Sequence, residues 1–170
     1  MRKFIYTVAL VLALGSVKAQ DIFAAARTND TVQIANYIKQ GIDINQANPK
    51  GFTPLILAVY NNNTEVVKFL IRNGAKVDAQ DMSGNTALMG ATFKGYVNMV
   101  DLLVNVGKAN VNQVNANGAS ALIFAATFGQ NEIITKLLNA GADRDIKDSR
   151  GKTAKDHAVM QENETIVKML

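Results

Sequence analysis

The sequence contains no cysteine, no tryptophan and only one histidine among its 170 residues. A chain without cysteine has no disulfide, thiolate zinc site, iron–sulfur cluster or cysteine nucleophile. A single histidine excludes a histidine-rich metal site and leaves little acid–base chemistry near neutral pH. Hydrophobic residues make up 48% of the chain, which is typical of one folded domain of this length. The composition therefore argues against catalysis.

The first nineteen residues have the three parts of a secretory signal peptide. A basic pair at residues 2–3 precedes an uncharged, mostly apolar run at 4–14, which Gly15 and Ser16 end, and residues 17–19 are small or acceptable before a cleavage site. The alternatives are a buried core helix or a membrane anchor, but a spanning helix needs about 20 apolar residues. We therefore predict cleavage between Ala19 and Gln20, export to the periplasm or the medium, and no membrane insertion of the released chain.

Removal of this segment changes the charge balance of the protein. Three of the 18 basic residues lie within it, so 15 basic residues remain against 14 acidic ones, a net charge of +1. The remaining charges of both signs are interspersed, as in Asp143, Arg144 and Asp145. A nucleic-acid binder needs a clustered basic face. The sequence therefore predicts no nucleic-acid partner.

Glycines recur along the rest of the chain with a period of 33 or 34 residues. They form two interleaved ladders, Gly41, Gly74, Gly107 and Gly141, and Gly51, Gly84, Gly118 and Gly151. A period of this length indicates stacked supersecondary units. One extra residue separates Gly107 from Gly118, so the connecting segment 108–117 is longer than its equivalents.

Each period predicts two helices joined by a short turn. A Ser or Thr that caps the first helix opens the segments Thr53–Ala58, Thr86–Ala91, Ser120–Ala125 and Thr153–Ala158. Second apolar runs with helical spacing occupy Val66–Ile71, Met99–Val104 and Ile133–Leu138. Each second run ends at a glycine of the first ladder, where a left-handed residue is expected to close the helix.

This pattern resembles the ankyrin repeat, a unit of about 33 residues that carries T-P-L-H-x-A. Residues 51–81, GFTPLILAVYNNNTEVVKFLIRNGAKVDAQD, match that unit closely. The resemblance implies an all-α repeat fold, a solenoid of stacked helix–turn–helix units with short β-hairpin fingers. We predict one repeat domain over 20–170, with polar outer units as caps. Its five units are expected at about 20–47, 48–80, 81–113, 114–147 and 148–170.

The histidine of the repeat signature is missing from this chain. Its place is taken by Ile56, Met89, Ile123 and Asp156. That histidine is expected to tie neighbouring turns by hydrogen bonds, so its loss predicts apolar packing instead. His157 lies one position further along and is expected to be a helix-surface or cap-packing residue.

The resemblance also implies a concave face that binds another protein. Carried over onto this sequence, its contact positions are Pro49, Lys50, Phe52, Tyr60, Asn61, Met82, Ser83, Asn85, Phe93, Lys94, Ala116, Asn117, Ala119, Thr127 and Phe128. Four aromatic side chains belong to this set, and exposed aromatic side chains indicate a partner. The alternative is that Phe93 and Phe128, in positions equivalent to each other and to Tyr60, pack against neighbouring repeats.

No catalytic residue, metal site or cofactor is predicted. Asp143, Asp145 and Asp148 have a calcium-loop spacing but lack the glycine and the distal glutamate of such a loop. The asparagine-rich segment 108–117 is interpreted as a relaxed hairpin, with a finger reshaped for one partner as the alternative.

These observations predict a bacterial, exported, non-catalytic and monomeric protein-binding module. Its most concrete role would be to inhibit or regulate an enzyme of the cell envelope through the concave face. The alternatives are a secreted effector that binds host proteins, an enzyme or metalloprotein, and a purely structural spacer.

Overall fold

The computed structural model describes residues 22–170, and these residues are almost entirely helical or in turns. The predicted signal peptide and its cleavage site at Ala19 and Gln20 lie outside the described residues. Within 22–170 the chain forms ten helices and no strand. They are α1 (22–27), α2 (Thr31–Lys39), α3 (Pro54–Tyr60), α4 (Thr64–Arg72), α5 (Ala87–Lys94), α6 (Val97–Asn105), α7 (Ala121–Thr127), α8 (Asn131–Asn139), α9 (Ala154–Met160) and α10 (Glu164–Met169).

The first helices of the pairs begin where the Ser and Thr residues predict. The side chains of Thr53, Thr86, Ser120 and Thr153 each accept a hydrogen bond from the backbone N–H three residues on. This bond satisfies a donor that has no partner within the helix. The predicted N-caps are therefore confirmed, and in α9 the Thr153 N–H also donates to the Asp156 carboxylate, which makes the capping reciprocal.

Three of the four glycines that follow second helices take the left-handed conformation, as expected. Their φ angles are 75° at Gly41, 86° at Gly74 and 84° at Gly141. The prediction is wrong for Gly107, because Lys108 has the positive φ, 55°, in its place. The extra residue of this unit lets Val106 continue the helical path, which moves the turn one residue along.

The helices stack in the order in which they follow one another along the chain. Each first helix from α3 to α9 contacts the next first helix, and among the second helices α6 contacts α8 and α8 contacts α10. The core between the layers contains Leu55, Ile56, Val67, Leu88, Met89, Val100, Leu122, Ile123 and Ile134, all almost fully buried. Apolar side chains thus replace the signature histidine in the inner units, and the all-α solenoid is confirmed. Among residues 22–170 no helix is long and apolar enough to cross a membrane.

The fingers between helix pairs are closed by side chains rather than by extended strands. Within the described residues, their β-structure consists of two isolated bridges, Gln80 to Thr86 and Val114 to Ser120. At the base of each finger, one side-chain oxygen accepts the backbone N–H groups two and four residues further on. These oxygens belong to Asn48, Asp81, Asn115 and Asp148. The expected hairpins are therefore tight turns, because this bonding needs no long strand pair.

Neighbouring fingers are joined by a ladder of backbone hydrogen bonds. The N–H groups of Met82, Ala116 and Ser149 donate to the carbonyl oxygens of Lys50, Ser83 and Asn117, over 3.2, 3.1 and 2.8 Å. The longer segment 108–117 keeps this register, because Asn112 contacts the next unit through the Asp143 N–H, at 2.8 Å. Its asparagines form turns and lateral bonds, and the relaxed-hairpin interpretation stays a prediction.

Candidate functional surface

The fifteen predicted contact residues recur at the same three places in three successive units, and none of them is buried. These places are the finger tip, the residue after the finger glycine, and the end of the first helix; we call the surface they form the groove. Ten residues are exposed, namely Pro49, Lys50, Asn61, Met82, Ser83, Phe93, Lys94, Ala116, Asn117 and Phe128. Phe52, Tyr60, Asn85, Ala119 and Thr127 are half-buried. These residues are accessible to a partner, and their role in binding stays a prediction.

Two phenylalanines from neighbouring repeats meet on this surface. The rings of Phe93 and Phe128 lie 5.2 Å apart, edge to face, while 47% and 49% of each residue remains exposed. The expectation that they occupy equivalent positions is wrong. Phe93 lies inside α5, whereas Phe128 follows the last residue of α7, and Thr127 holds the place equivalent to Phe93. The rings thus pack across repeats and still present an apolar surface to solvent.

The end of one first helix lies over the middle of the next one. Tyr60, at the end of α3, lies against Gly90, where an added Cβ would be 3.0 Å from Tyr60 Cε2. Burial raises the pKa of the Tyr60 hydroxyl, and the nearby Asp81 carboxylate adds to the effect. Glycine at position 90 therefore provides the space that the tyrosine ring fills.

The equivalent contact between α7 and α9 is polar. His157 is 4% exposed, so it packs within the last unit and does not lie on the helix surface. Its Nε2 lies 2.9 Å from Asp148 Oδ2, and its Nδ1 lies 3.1 Å from Thr127 Oγ1. One side chain thereby connects the last finger, α7 and α9.

Asp148 is the charged member of this cluster. Its Oδ1 accepts the N–H groups of Arg150 and Lys152, and its Oδ2 contacts His157 and the Arg150 guanidinium. The hydrogen bond from the Lys152 N–H is the largest cause that holds the pKa of the Asp148 carboxyl far below its usual range. The bonds from His157 and Arg150 act in the same direction, whereas burial acts in the opposite one. The carboxylate is therefore ionised at neutral pH and its hydrogen-bonding capacity is largely used.

Two clefts open along the groove, one on each side of Phe124. The larger has a volume of about 350 Å³ and lies between α7 and the last finger, where Phe128, Asn117, Arg150 and His157 line it. The smaller, of about 230 Å³, is bounded by Tyr60, Asn85, Met89, Phe93 and Phe124. Both are also lined by residues outside the predicted contact set, such as Phe124. Extending the contact positions into the last unit would have found Arg150.

The acidic side chains of the fingers serve turns, and this surface presents polar groups and apolar area to a partner. Among residues 22–170 no group of three or more acidic or histidine side chains is arranged to hold a metal ion. The Asp143 carboxylate accepts the Asp145 N–H at 2.8 Å, which is a turn interaction, and Asp148 closes its finger. The spacing of these aspartates reflects the construction of the fingers.

Comparison with known proteins finds one family model and several relatives that match most of the chain. A family model described as ankyrin repeats (3 copies) matches residues 22–115 and 103–170. The chain is 33% identical over 121 residues to the probable 26S proteasome regulatory subunit p28 of Saccharomyces cerevisiae, covering 71% of this chain and 53% of that protein. It is 36% identical over 113 residues to the B-cell lymphoma 3 protein homolog of Mus musculus, covering 66% and 25%.

A third relative is an enzyme by name. The phosphocholine transferase AnkX of Legionella pneumophila is 30% identical over 122 residues, which cover 69% of this chain and 12% of that protein. The chain thus spans about half the length of the yeast relative and much less of the other two. The family model covers all the described helices and agrees with the stacked pairs, the capped first helices and the glycine ladders. The chain belongs to the ankyrin-repeat family.

Proposed function

We propose that this protein acts by binding another protein in the groove between its finger tips and first helices. Ankyrin repeats mediate interactions between proteins, and the family is typically a non-catalytic interaction module. Solenoids of this kind provide an extended surface for contact. The groove is the face on which the fingers and the first-helix ends combine exposed backbone turns with aromatic side chains.

The exposed pair of Phe93 and Phe128 is the observation that supports this proposal most directly. Each ring already contacts the other at 5.2 Å, so the pair is held in place before a partner arrives. Side chains that are ordered in advance lose little conformational entropy on binding. Aromatic residues that anchor interfaces typically contribute about 2 kcal/mol or more each when truncated. The two rings form an exposed apolar surface beside a cleft of about 350 Å³, and an apolar side chain of a partner could pack there.

The finer features of the function form part of the same proposal. The chain would consist of five units with the outer two as caps, which the polar residues of the last unit favour. The signal-peptide pattern favours export of a bacterial protein, and a monomer is the expected state. In the most concrete version, the groove inhibits or regulates an enzyme of the cell envelope.

Capture from an envelope extract tests the groove. The purified chain should recover a specific protein, and the joint change Phe93→Ala and Phe128→Ala should abolish that recovery. Thermal unfolding should change little, because both side chains are half exposed. The control is Val106→Ala, which truncates an apolar residue of similar exposure, 52%, at the end of α6. Equal recovery by the double variant and the control would remove the groove from the proposal.

Export and location have their own tests. The N-terminus of the protein isolated from cells should be Gln20, and a chain that still begins with Met1 would contradict the signal-peptide prediction. Fractionation then separates the periplasmic role from a secreted effector, since only the effector accumulates in the medium. An activity lost on His157→Ala in a folded protein would instead favour the enzyme alternative.

A further inference from the structure

Three lysines of the second helices form ion pairs, whereas within residues 22–170 Lys39 at the end of α2 forms none. The paired ammonium groups lie 3.0 to 3.8 Å from carboxylates, in Lys68–Glu65, Lys136–Asp101 and Lys168–Glu164. Within residues 22–170, Lys50 and Lys94 of the groove form no such ion pair. The ammonium groups of Lys50 and Lys94 therefore have no carboxylate of residues 22–170 within ion-pair distance.

The repeat places these cations at positions that line the cleft in later units. Lys50 holds the finger-tip position of Asn117 and Arg150, and both of those residues line the larger cleft. Lys94 holds the helix-end position of Phe128, which lines it as well. The Arg150 side chain is 67% exposed and contacts Asp148 at 3.3 Å through one nitrogen, Nη2. The remaining guanidinium donors can therefore serve a partner.

Two acidic residues, Asp81 and Asp148, also belong to the fingers of the groove. The Asp148 carboxylate is buried and is bonded to two backbone N–H groups, His157 and Arg150. The Asp81 carboxylate is half-buried and accepts the N–H groups of Ser83 and Asn85. Both carboxylates are hydrogen-bonded inside their own fingers, whereas the cationic side chains of Lys50, Lys94 and Arg150 are exposed.

From this contrast we propose that the partner of the groove is an extended acidic segment of another protein. An apolar side chain of the segment lies against Phe128 in the larger cleft, and its carboxylates pair with Arg150 and Lys94. Arginine binds carboxylates through paired donors, and complementary charge fixes the register of an interface and speeds its formation. The inference rests on the proposed function and adds the chemistry of the partner to it.

Selection from a random-peptide library displayed on phage tests the charge of the partner. The probe is the library itself, and the purified full-length chain is the target. Recovered peptides should carry a net negative charge together with at least one aromatic or aliphatic residue. Labelled copies of these peptides should bind with an affinity that falls about tenfold or more when salt rises from about 50 to about 300 mM, because exposed charges are then screened.

Charge reversal at single positions locates the site. Arg150→Glu and Lys94→Glu should each weaken binding of the recovered peptide about tenfold or more, since attraction becomes repulsion. Lys68→Glu on α4 is the matched control and should change the affinity less than about twofold, because its position is outside the groove. All three side chains are at least partly exposed, and circular dichroism melts check that each variant is folded.

The remaining outcomes separate the inference from the proposed function. Neutral or basic peptides, or acidic peptides that ignore both charge reversals, would overturn the acidic partner. If such peptides still require Phe93 and Phe128, the groove keeps its proposed function and only the inference fails. Recovery of no peptide would also overturn it. A single-stranded DNA oligonucleotide that displaces the peptide and shows the same dependence on Arg150 would identify a nucleic-acid site instead.

Discussion

The junction between α3 and α5 and the junction between α7 and α9 use equivalent positions with different chemistry. In the first, the Tyr60 ring lies over Gly90, which has no side chain, and the contact is one of packing. In the second, Thr127 takes the place of the tyrosine and His157 takes the place of the glycine, and the two side chains lie 3.1 Å apart. The repeat therefore determines which residues meet, while their identity determines whether packing or hydrogen bonding joins the units.

The fingers of the two regions differ as well. A Cβ added to Gly84 would lie 2.7 Å from the backbone nitrogen of Ala116 in the next finger. A Cβ added to Gly151 in the last finger would meet nothing within 4 Å. Both glycines have left-handed φ angles, 77° and 73°. The inner glycine thus serves conformation and close approach, and the outer one serves conformation alone.

The largest effect on stability is expected when alanine replaces the glycines of these two fingers. Gly151→Ala should lower the free energy of unfolding by about 1–2 kcal/mol, the usual cost of a left-handed L-residue. Gly84→Ala should lower it by about 2–5 kcal/mol, because the contact with the backbone of Ala116 adds an overpacking cost. Urea unfolding of the two variants measures the difference. Equal losses would mean that the next finger moves away without cost.

His157→Ala is expected to have the next largest effect. The change removes the bonds to Asp148 and Thr127 from a site that is almost fully buried. A buried partner left without its hydrogen bond costs about 1–3 kcal/mol. Chemical denaturation followed by circular dichroism measures the loss. Lys155→Ala, an exposed change on the same helix, is the control, and a similar small loss for both would contradict a role of His157 in joining the units.

The contrast between the junctions also shows how far the sequence could be interpreted. Local signals identified the first helices, because an N-cap Ser or Thr acts within three residues of itself. The period placed the fingers because each repeat packs in the same way on its neighbour. These features depend on short-range chemistry or on repetition, and both are visible in the sequence.

Features that depend on the inserted residue or on contacts between units were predicted less well. Gly107 was expected to be left-handed, but the inserted residue moved that conformation to Lys108. His157 was expected to lie on the surface or to pack within the cap; the sequence did not show that Asp148, nine residues earlier, and Thr127, thirty residues earlier, would both contact it. The contact set stopped before the last unit, so Arg150 was missed. Such contacts depend on how neighbouring repeats align in space.

Acid sensitivity should distinguish the polar junction from the apolar one. The pKa of Asp148 is lowered in the folded protein, so its carboxylate stabilises the fold above the unfolded value of about 3.9. This contribution disappears as the pH falls through the lower, folded-state pKa. Asp148→Asn keeps an oxygen that can close the finger, as Asn48 and Asn115 do, but loses the charge beside His157.

The variant Asp148→Asn should therefore be less stable than the original chain at pH 7, and the difference should shrink as the pH falls below about 4. Urea midpoints of both proteins at several pH values measure this difference. Other carboxylates with lowered pKa values, such as Asp101 and Asp156, contribute equally to both proteins and cancel. A difference that stays constant with pH would show that the charge of Asp148 is unimportant.

The smallest effect is expected at Gly90, and it tests the apolar junction. Alanine in the interior of a helix is favoured over glycine by about 1 kcal/mol. In this protein the new methyl group would lie 3.0 Å from the Tyr60 ring, so the ring must shift and most of the gain is lost. Gly90→Ala should thus change the free energy of unfolding by less than about 0.5 kcal/mol in the original chain, but should stabilise a Tyr60→Ala background by about 1 kcal/mol. A double-mutant cycle by urea unfolding measures the coupling. The same gain in both backgrounds would mean that the ring gives way freely, and Tyr60 would then be available to a partner rather than fixed between two repeats.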